Sequence, residues 1–280
     1  MTSAQRSPRP GAAALVLALA LALGFALGGC APKAGPGGAP QADAQALWRS
    51  FSAPAQTEAK SFTLSASLSV ASPSRSARLL VRFWGGVDGP VRLDLSSGMG
   101  QTFAMWREDQ LGWLAVYPGS NQAFTHSDTK AALARLGMPF PFTLKDLAAI
   151  CAGRFQGIVP ASYSGVKRTA SGFTYTLPQG SAVGSLTLDF AGNPIHLTGR
   201  GVEPWSVELG DFAAPAEGGR PLAQRIAVTS PGGLQAVLRI KKIELSAAPA
   251  AAAAVVLTVP PQARHIPLDG PGDVSAPELP

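Results

Sequence analysis

The stretch SFTLSASLSV, Ser61–Val70, alternates without a break: Phe62, Leu64, Ala66, Leu68 and Val70 fall at every second position, and Ser or Thr fills most of the others. Successive side chains of a strand point to opposite faces, so this pattern predicts a strand with one buried and one wet face. The same signal recurs on either side of turn residues. ARLLVRFWG (77–85), PVRLDL (90–95), QTFAMWR (101–107) and LGWLAVYP (111–118) follow at short spacing, each bounded by Gly, Pro, Ser or Asp. Short strands joined by such turns predict an antiparallel meander.

Helical spacing interrupts this run. SDTKAALARLG (127–137) offers Ser127 or Asp128 as a cap and Gly137 past its end. TLKDLAAICAG (143–153) pairs Thr143 with Asp146 in a capping-box pattern. A further short amphipathic helix is predicted in ADAQALWRSFSA (42–53), from Leu47, Trp48 and Phe51. Strand signals then return in GFTYTLP (172–178), VGSLTLDF (183–190), PIHLTG (194–199), WSVELGDF (205–212), QRIAVTS (224–230), GLQAVLRIKKIEL (233–245) and AVVLTVP (254–260), with DFAGNP (189–194) as a hairpin loop. The fold class expected is mainly β with helices: an incomplete antiparallel β-barrel, or half-barrel, covered by a helical lid. Such a curled sheet encloses a cavity or packs a solid core; alternation fits both.

Of the 280 residues, 46% are hydrophobic and 14% charged, with 31 Gly and 25 Pro, a composition of turns and extended segments around a sizeable core. Without the two arginines of residues 1–29 the formal charge of +6 falls to +4, which points to no nucleic-acid partner. The chain opens with Arg6 and Arg9 and no acid, and carries no charge from Gly11 to Gly29. That order, basic then apolar then small, is a secretory signal rather than a retained helix, because no basic cluster follows to stop transfer. LGGC, Leu27–Cys30, resembles the lipobox of bacterial lipoproteins, in which the cysteine becomes the new N-terminus and its sulfur carries lipid. The expected organisation is therefore a signal peptide at 1–29, a lipidated Cys30 with a flexible tether at 30–43, one domain at 44–259 and a Pro-rich disordered tail at 260–280. Cys151 is then the lone remaining thiol, expected as a small buried hydrophobe.

The residues of an enzyme are not assembled in the sequence. His126, His196 and His265 are widely separated, with no metal-ligand spacing. There is no GxSxG elbow, no P-loop and no dinucleotide fingerprint. Asp94 and Asp189 sit in alternating strands where a solvent-facing role is the simpler reading. No catalytic residue, metal or cofactor is expected.

Taken in order, the lipoprotein signal, the N-terminal helix, the strands with RLDLSSGMGQTF, the helices around RLGMPFPFTLKDL and the second run of strands resemble the LolB family of outer-membrane lipoprotein receptors, over roughly 44–245. Arg92, Leu93 and Leu95 match that family's strand, and Met99 stands where its loop carries an exposed leucine. Gly137, Met138, Pro139, Phe140, Pro141 and Phe142 resemble its GMPIPL segment, with Leu147 beyond; Ala148 and Ala149 stand where a tryptophan is common.

The resemblance implies that acyl chains of lipoproteins occupy an apolar cavity, received from a LolA-like periplasmic carrier. It also implies a monomer held by its N-terminal lipid on the periplasmic side of the outer membrane. Ala31 after Cys30 is compatible with that sorting. Met99 would be the membrane-insertion residue or else an ordinary strand-end apolar residue. Gly137, Pro139, Phe140, Pro141, Phe142 and Leu147 would form the lid motif. By alternation, the cavity lining would draw on Phe62, Leu64, Leu68, Leu79, Val81, Phe83, Leu93, Phe103, Met105, Leu114 and Val116, each of which could equally be plain core. A lipid-anchored, non-catalytic envelope scaffold is the alternative function.

Overall fold

The computed structural model describes residues 38–53, 59–72, 76–138, 140–201, 204–215 and 219–270. The signal peptide, Cys30, most of the tether, Pro139 and residues 271–280 lie outside the described residues. Two compact units divide the chain, Met1–Ala42 and Asp43–Pro280. The second contains the sheet.

That sheet has 14 strands. In chain order they are β1 (Ser61–Ala71), β2 (Ser76–Gly86), β3 (Val91–Ser96), β4 (Thr102–Asp109), β5 (Gly112–Tyr117), β6 (Gln122–His126), β7 (Gly165–Arg168), β8 (Gly172–Thr176), β9 (Val183–Asp189), β10 (Pro194–Gly199), β11 (Ser206–Ala213), β12 (Leu222–Thr229), β13 (Gln235–Ser246) and β14 (Arg264–Pro267). Their spatial order is β14-β6-β5-β4-β3-β2-β1-β13-β12-β11-β10-β9-β8-β7, so the sheet ends on β14 and β7 and is not closed. The helices are α1 (Gly38–Ser52), α2 (Thr129–Arg135) and α3 (Leu144–Cys151).

The two meanders are joined by the long β1–β13 pair, whose register shifts between Ser65 and Ala66. An extra residue there bends and twists the ladder, and curvature of this kind lets an open sheet wrap a core. β1 shows the alternation its sequence promised: Phe62, Leu64, Ala66 and Val70 are buried, whereas Thr63 and Ser65 are exposed.

Three expectations are corrected. Residues 38–43 are helical rather than a flexible tether, since α1 begins at Gly38. AVVLTVP forms no strand; a 3-10 turn at Ala252–Val255 leads into an extended segment that buries Val255 and Leu257. The tail is not disordered from residue 260, because β14 pairs in parallel with β6 and Leu268 is fully buried. The pairing supplies backbone partners, and Leu268 an apolar anchor, that composition alone did not reveal.

Candidate functional site

One half of the sheet is filled. α1 lays Ala44, Trp48 and Phe51 against it, and Trp48 meets Tyr163 and Tyr175 at 5.1 and 4.8 Å between ring centroids. Two polar atoms of this aromatic cluster are paired: Trp48 Nε1 donates to the Ala161 carbonyl at 3.0 Å, and the Tyr175 hydroxyl donates to the Ala44 carbonyl at 2.7 Å.

The other half is hollow. A cavity of about 430 Å³ lies between the concave face of the sheet and the two helices α2 and α3. Leu68 and Val70 of β1, Leu79, Val81 and Phe83 of β2, and Leu93 and Leu95 of β3 form its floor. Phe103 and Trp106 of β4 and Tyr117 of β5 make an aromatic wall, and Ile226, Val228, Ala236 and Leu238 close the opposite side. The roof is Leu133 and Leu136 of α2, Met138, Phe140 and Phe142 of the connection, and Leu144 and Leu147 of α3.

The expected lining residues separate into three groups. Leu68, Leu79, Val81, Phe83, Leu93 and Phe103 line the cavity. Phe62 and Leu64 are buried on the same side but lie in solid packing, Phe62 edge-on to Phe83 at 4.8 Å. Met105, Leu114 and Val116 do not line it: they form a separate cluster with Ala123 and Leu257. β5 is buried on both faces, the second under the chain's C-terminal segment, so hydrophobicity did not mark which face was inward.

β4 also changes phase. Leu95 pairs with Ala104 and Ser96 with Thr102, which leaves Phe103 as an extra residue. Phe103 and Trp106 therefore share the cavity although strict alternation would separate them. Trp106 and Tyr117 were missed for these reasons; the bulge has no signature in QTFAMWR beyond its apolar density.

The lid is assembled by end contacts. Asp128 caps α2 by accepting from Ala131 N at 2.8 Å. Gly137, at φ 70°, ends it with paired backbone bonds from Gly137 N to Ala134 O and from Met138 N to Leu133 O. That left-handed turn suits glycine and redirects the chain into the connection. Thr143 and Asp146 form the reciprocal box that starts α3, worth about 0.5–2 kcal/mol. Lys130 of α2 reaches Asp146 of α3 at 3.5 Å. Among the lid-motif residues, Gly137, Phe140, Phe142 and Leu147 line the cavity and Pro141 does not.

Phe142 packs edge-on against Trp205 at 5.3 Å, and Trp205 lies directly over Gly199, where a Cβ would stand 2.3 Å from its Nε1. A glycine there is what lets the roof's aromatic anchor settle on the sheet.

Two further ties fix the lid to the sheet. Glu108 of β4, itself buried, accepts from Leu144 N at 2.7 Å at the start of α3. Burial raises its pKa, with hydrogen bonds from Thr129 and Leu144 and the charge of Lys145 opposing. Arg135 at the end of α2 donates to the carbonyls of Leu268 and of Gly270, the second at 2.6 Å, and Asp269 accepts from Ser127 Oγ at 2.7 Å. The C-terminal segment thus straps α2 in place.

Met99 sits in the β3–β4 turn, 94% exposed. Cys151 is fully buried and its thiol is pushed up to about 12 by desolvation, which keeps it neutral and unreactive. Among the described residues no cluster of His, Cys, Asp or Glu is arranged to hold a metal. Asp94 is paired with Arg92 at 2.9 Å, and Asp189 closes its hairpin by accepting from Ala191 N and Asn193 N.

The chain is similar to several solved structures. A LolA superfamily protein from Nitrosomonas europaea matches at TM-score 0.49 and 10% identity, covering 74% of this chain and 93% of its own. A domain ascribed to outer membrane lipoprotein sorting in Vibrio parahaemolyticus matches at 0.47 and 9%, covering 71% and 91%. A DUF1329 family protein from Desulfovibrio piger matches at 0.44 and 11%, covering 78% and 99%. These are likenesses of outline between chains of dissimilar sequence. No family model and no curated protein matches the chain.

Proposed function

We propose that this protein is a lipid-anchored outer-membrane lipoprotein that holds the acyl chains of other lipoproteins in its cavity, having received them from a periplasmic carrier. The supporting observation is the cavity itself: about 430 Å³ enclosed by aliphatic and aromatic side chains from both sheet and lid. That size and lining suit one apolar ligand. Each methylene moved out of water contributes about 0.8 kcal/mol, so a long acyl chain needs little polar recognition to bind. Transfer then follows relative affinity, with no chemical step, and the reading assigns no reaction to the protein. Acylated Cys30 would keep the cavity beside the membrane, and exposed Met99 would meet that membrane first.

The test is purification from the cell envelope of the chain without its leader and with Cys30 replaced, followed by native mass spectrometry and lipid extraction. A co-purified acylated molecule is the expected result. A consistently empty protein that also fails to take up added acyl chains would favour the envelope scaffold instead. Met99→Glu is expected to leave folding and acyl binding intact while blocking delivery to vesicles; unchanged delivery removes Met99 from the mechanism.

A further inference from the structure

The cavity's polar inventory is short. Among the described residues its lining contains no Lys, Arg, His, Asp or Glu. Thr143 is committed to capping α3, and Ser72 also has a partner. Two polar side-chain atoms in the wall are unspent: Trp106 Nε1 and the Tyr117 hydroxyl are shut from solvent and make no hydrogen bond. Trp48 and Tyr175, by contrast, carry polar atoms that both reach carbonyls. Trp113 Nε1, behind Trp106 in the packed core, is unpaired as well, but Trp113 does not line the cavity, so only Trp106 and Tyr117 bring unpaired groups to its wall.

Trp106 and Tyr117 are neighbours on one face. Met105 pairs with Val116 and Trp106 with Ala115, which puts Tyr117 diagonally across from Trp106. Burial raises the Tyr117 pKa and the indole N–H beside it works the other way, yet the two atoms do not reach hydrogen-bond geometry. The rings are braced from behind, Tyr117 by Phe103 and Phe124, each at 5.6 Å, and Trp106 by Trp113 at 5.9 Å. Leaving buried donors unpaired is costly, and a ligand acceptor recovers that cost.

We propose that Trp106 Nε1 and the Tyr117 hydroxyl form the polar subsite of the cavity and together donate to the neutral carbonyl oxygen of an acyl ester or amide. The inference rests on the acyl-chain reading above and adds what that reading lacks, the chemical group recognised. A carboxylate is disfavoured because no cation lines the site to offset its desolvation. A plain hydrocarbon leaves both donors unpaired. Both atoms are shut from water, so an acceptor reaches them where the Trp106 and Tyr117 rings turn towards the bound chain.

The experiment is displacement of the neutral apolar dye N-phenyl-1-naphthylamine from the full-length protein by three ligands of similar length: methyl palmitate, palmitate at pH 8 and a C18 alkane. The ester is expected to displace the dye roughly tenfold more effectively than either of the others, as two modest hydrogen bonds require. Tyr117→Phe and Trp106→Phe are each expected to lower that advantage, read as the ratio of ester to alkane displacement within each variant, about threefold. Should a variant fail to fold, the ligand series on the wild type still decides, joined by the Trp106 indole N–H resonance, which is expected to move downfield with ester and not with alkane. Equal displacement by ester and alkane, strongest displacement by palmitate, or an ester preference that survives both substitutions overturns the subsite while the cavity reading stands. Failure of the dye and of every chain to bind removes the cavity reading, and the subsite with it.

Discussion

The two halves of the sheet use similar aromatic residues to opposite ends. Beside α1, Trp48, Phe51, Tyr163 and Tyr175 interlock ring on ring, and the polar atoms of Trp48 and Tyr175 find backbone carbonyls. Beneath α2 and α3, Trp106 and Tyr117 line empty space and their polar atoms are unpaired. The difference lies in the covering element. α1 lies on the sheet with its own large side chains and fills it, whereas the two short lid helices are held at their ends, by Glu108, Arg135 and Trp205, and span a gap. One half therefore supplies stability and the other keeps room.

Removing a large side chain from each half tests that division most severely. Trp48→Ala should cost about 3–5 kcal/mol in denaturant unfolding, because it opens a void in close packing and orphans the Ala161 carbonyl. Leu147→Ala, at the edge of existing space, should cost clearly less. Equal losses would erase the distinction between filled and hollow halves.

Filling the hollow half is the converse. Val81→Phe places a ring into the cavity floor and should lower apolar-dye affinity at least tenfold without lowering the melting temperature. A lowered melting temperature would mean the space is needed by the fold itself.

The strap offers a smaller effect. Arg135→Ala removes the donor to the Leu268 and Gly270 carbonyls, and should speed amide exchange in 129–136 while leaving the segment around α1 unchanged. Exchange that rises equally in both halves would show the lid is not a separate unit.

The smallest effect concerns pH. Glu108 has a raised pKa, so the native state holds its proton more tightly than the unfolded chain does. Its stabilisation is present below the ordinary value near 4.5 and is lost as pH rises through the folded value. Glu108→Gln should flatten that part of the stability profile, measured by urea unfolding across the window.

Much of this was legible in the chain. Ser61–Val70 announced a half-buried strand because one face of β1 is dry and the other wet. Asp128, Gly137, Thr143 and Asp146 announced the lid helices because their ends need local partners that only such residues supply. Trp106, Tyr117 and the outward Met105, Leu114 and Val116 were not legible, since a strand covered on both sides loses its alternation and a bulge shifts its phase.

The sequence by itself determined every strand but β6, β7 and β14, the helices between them and the apolar character of the surfaces they bury, all of which follow from local periodicity and capping. Only the tertiary structure decided which apolar face is hollow, where the C-terminal strap lies and which polar atoms remain unspent. Those depend on contacts between residues far apart in the chain, such as Ala44 with Tyr175 and Arg135 with Gly270, and no local pattern encodes whether the space between distant elements is filled.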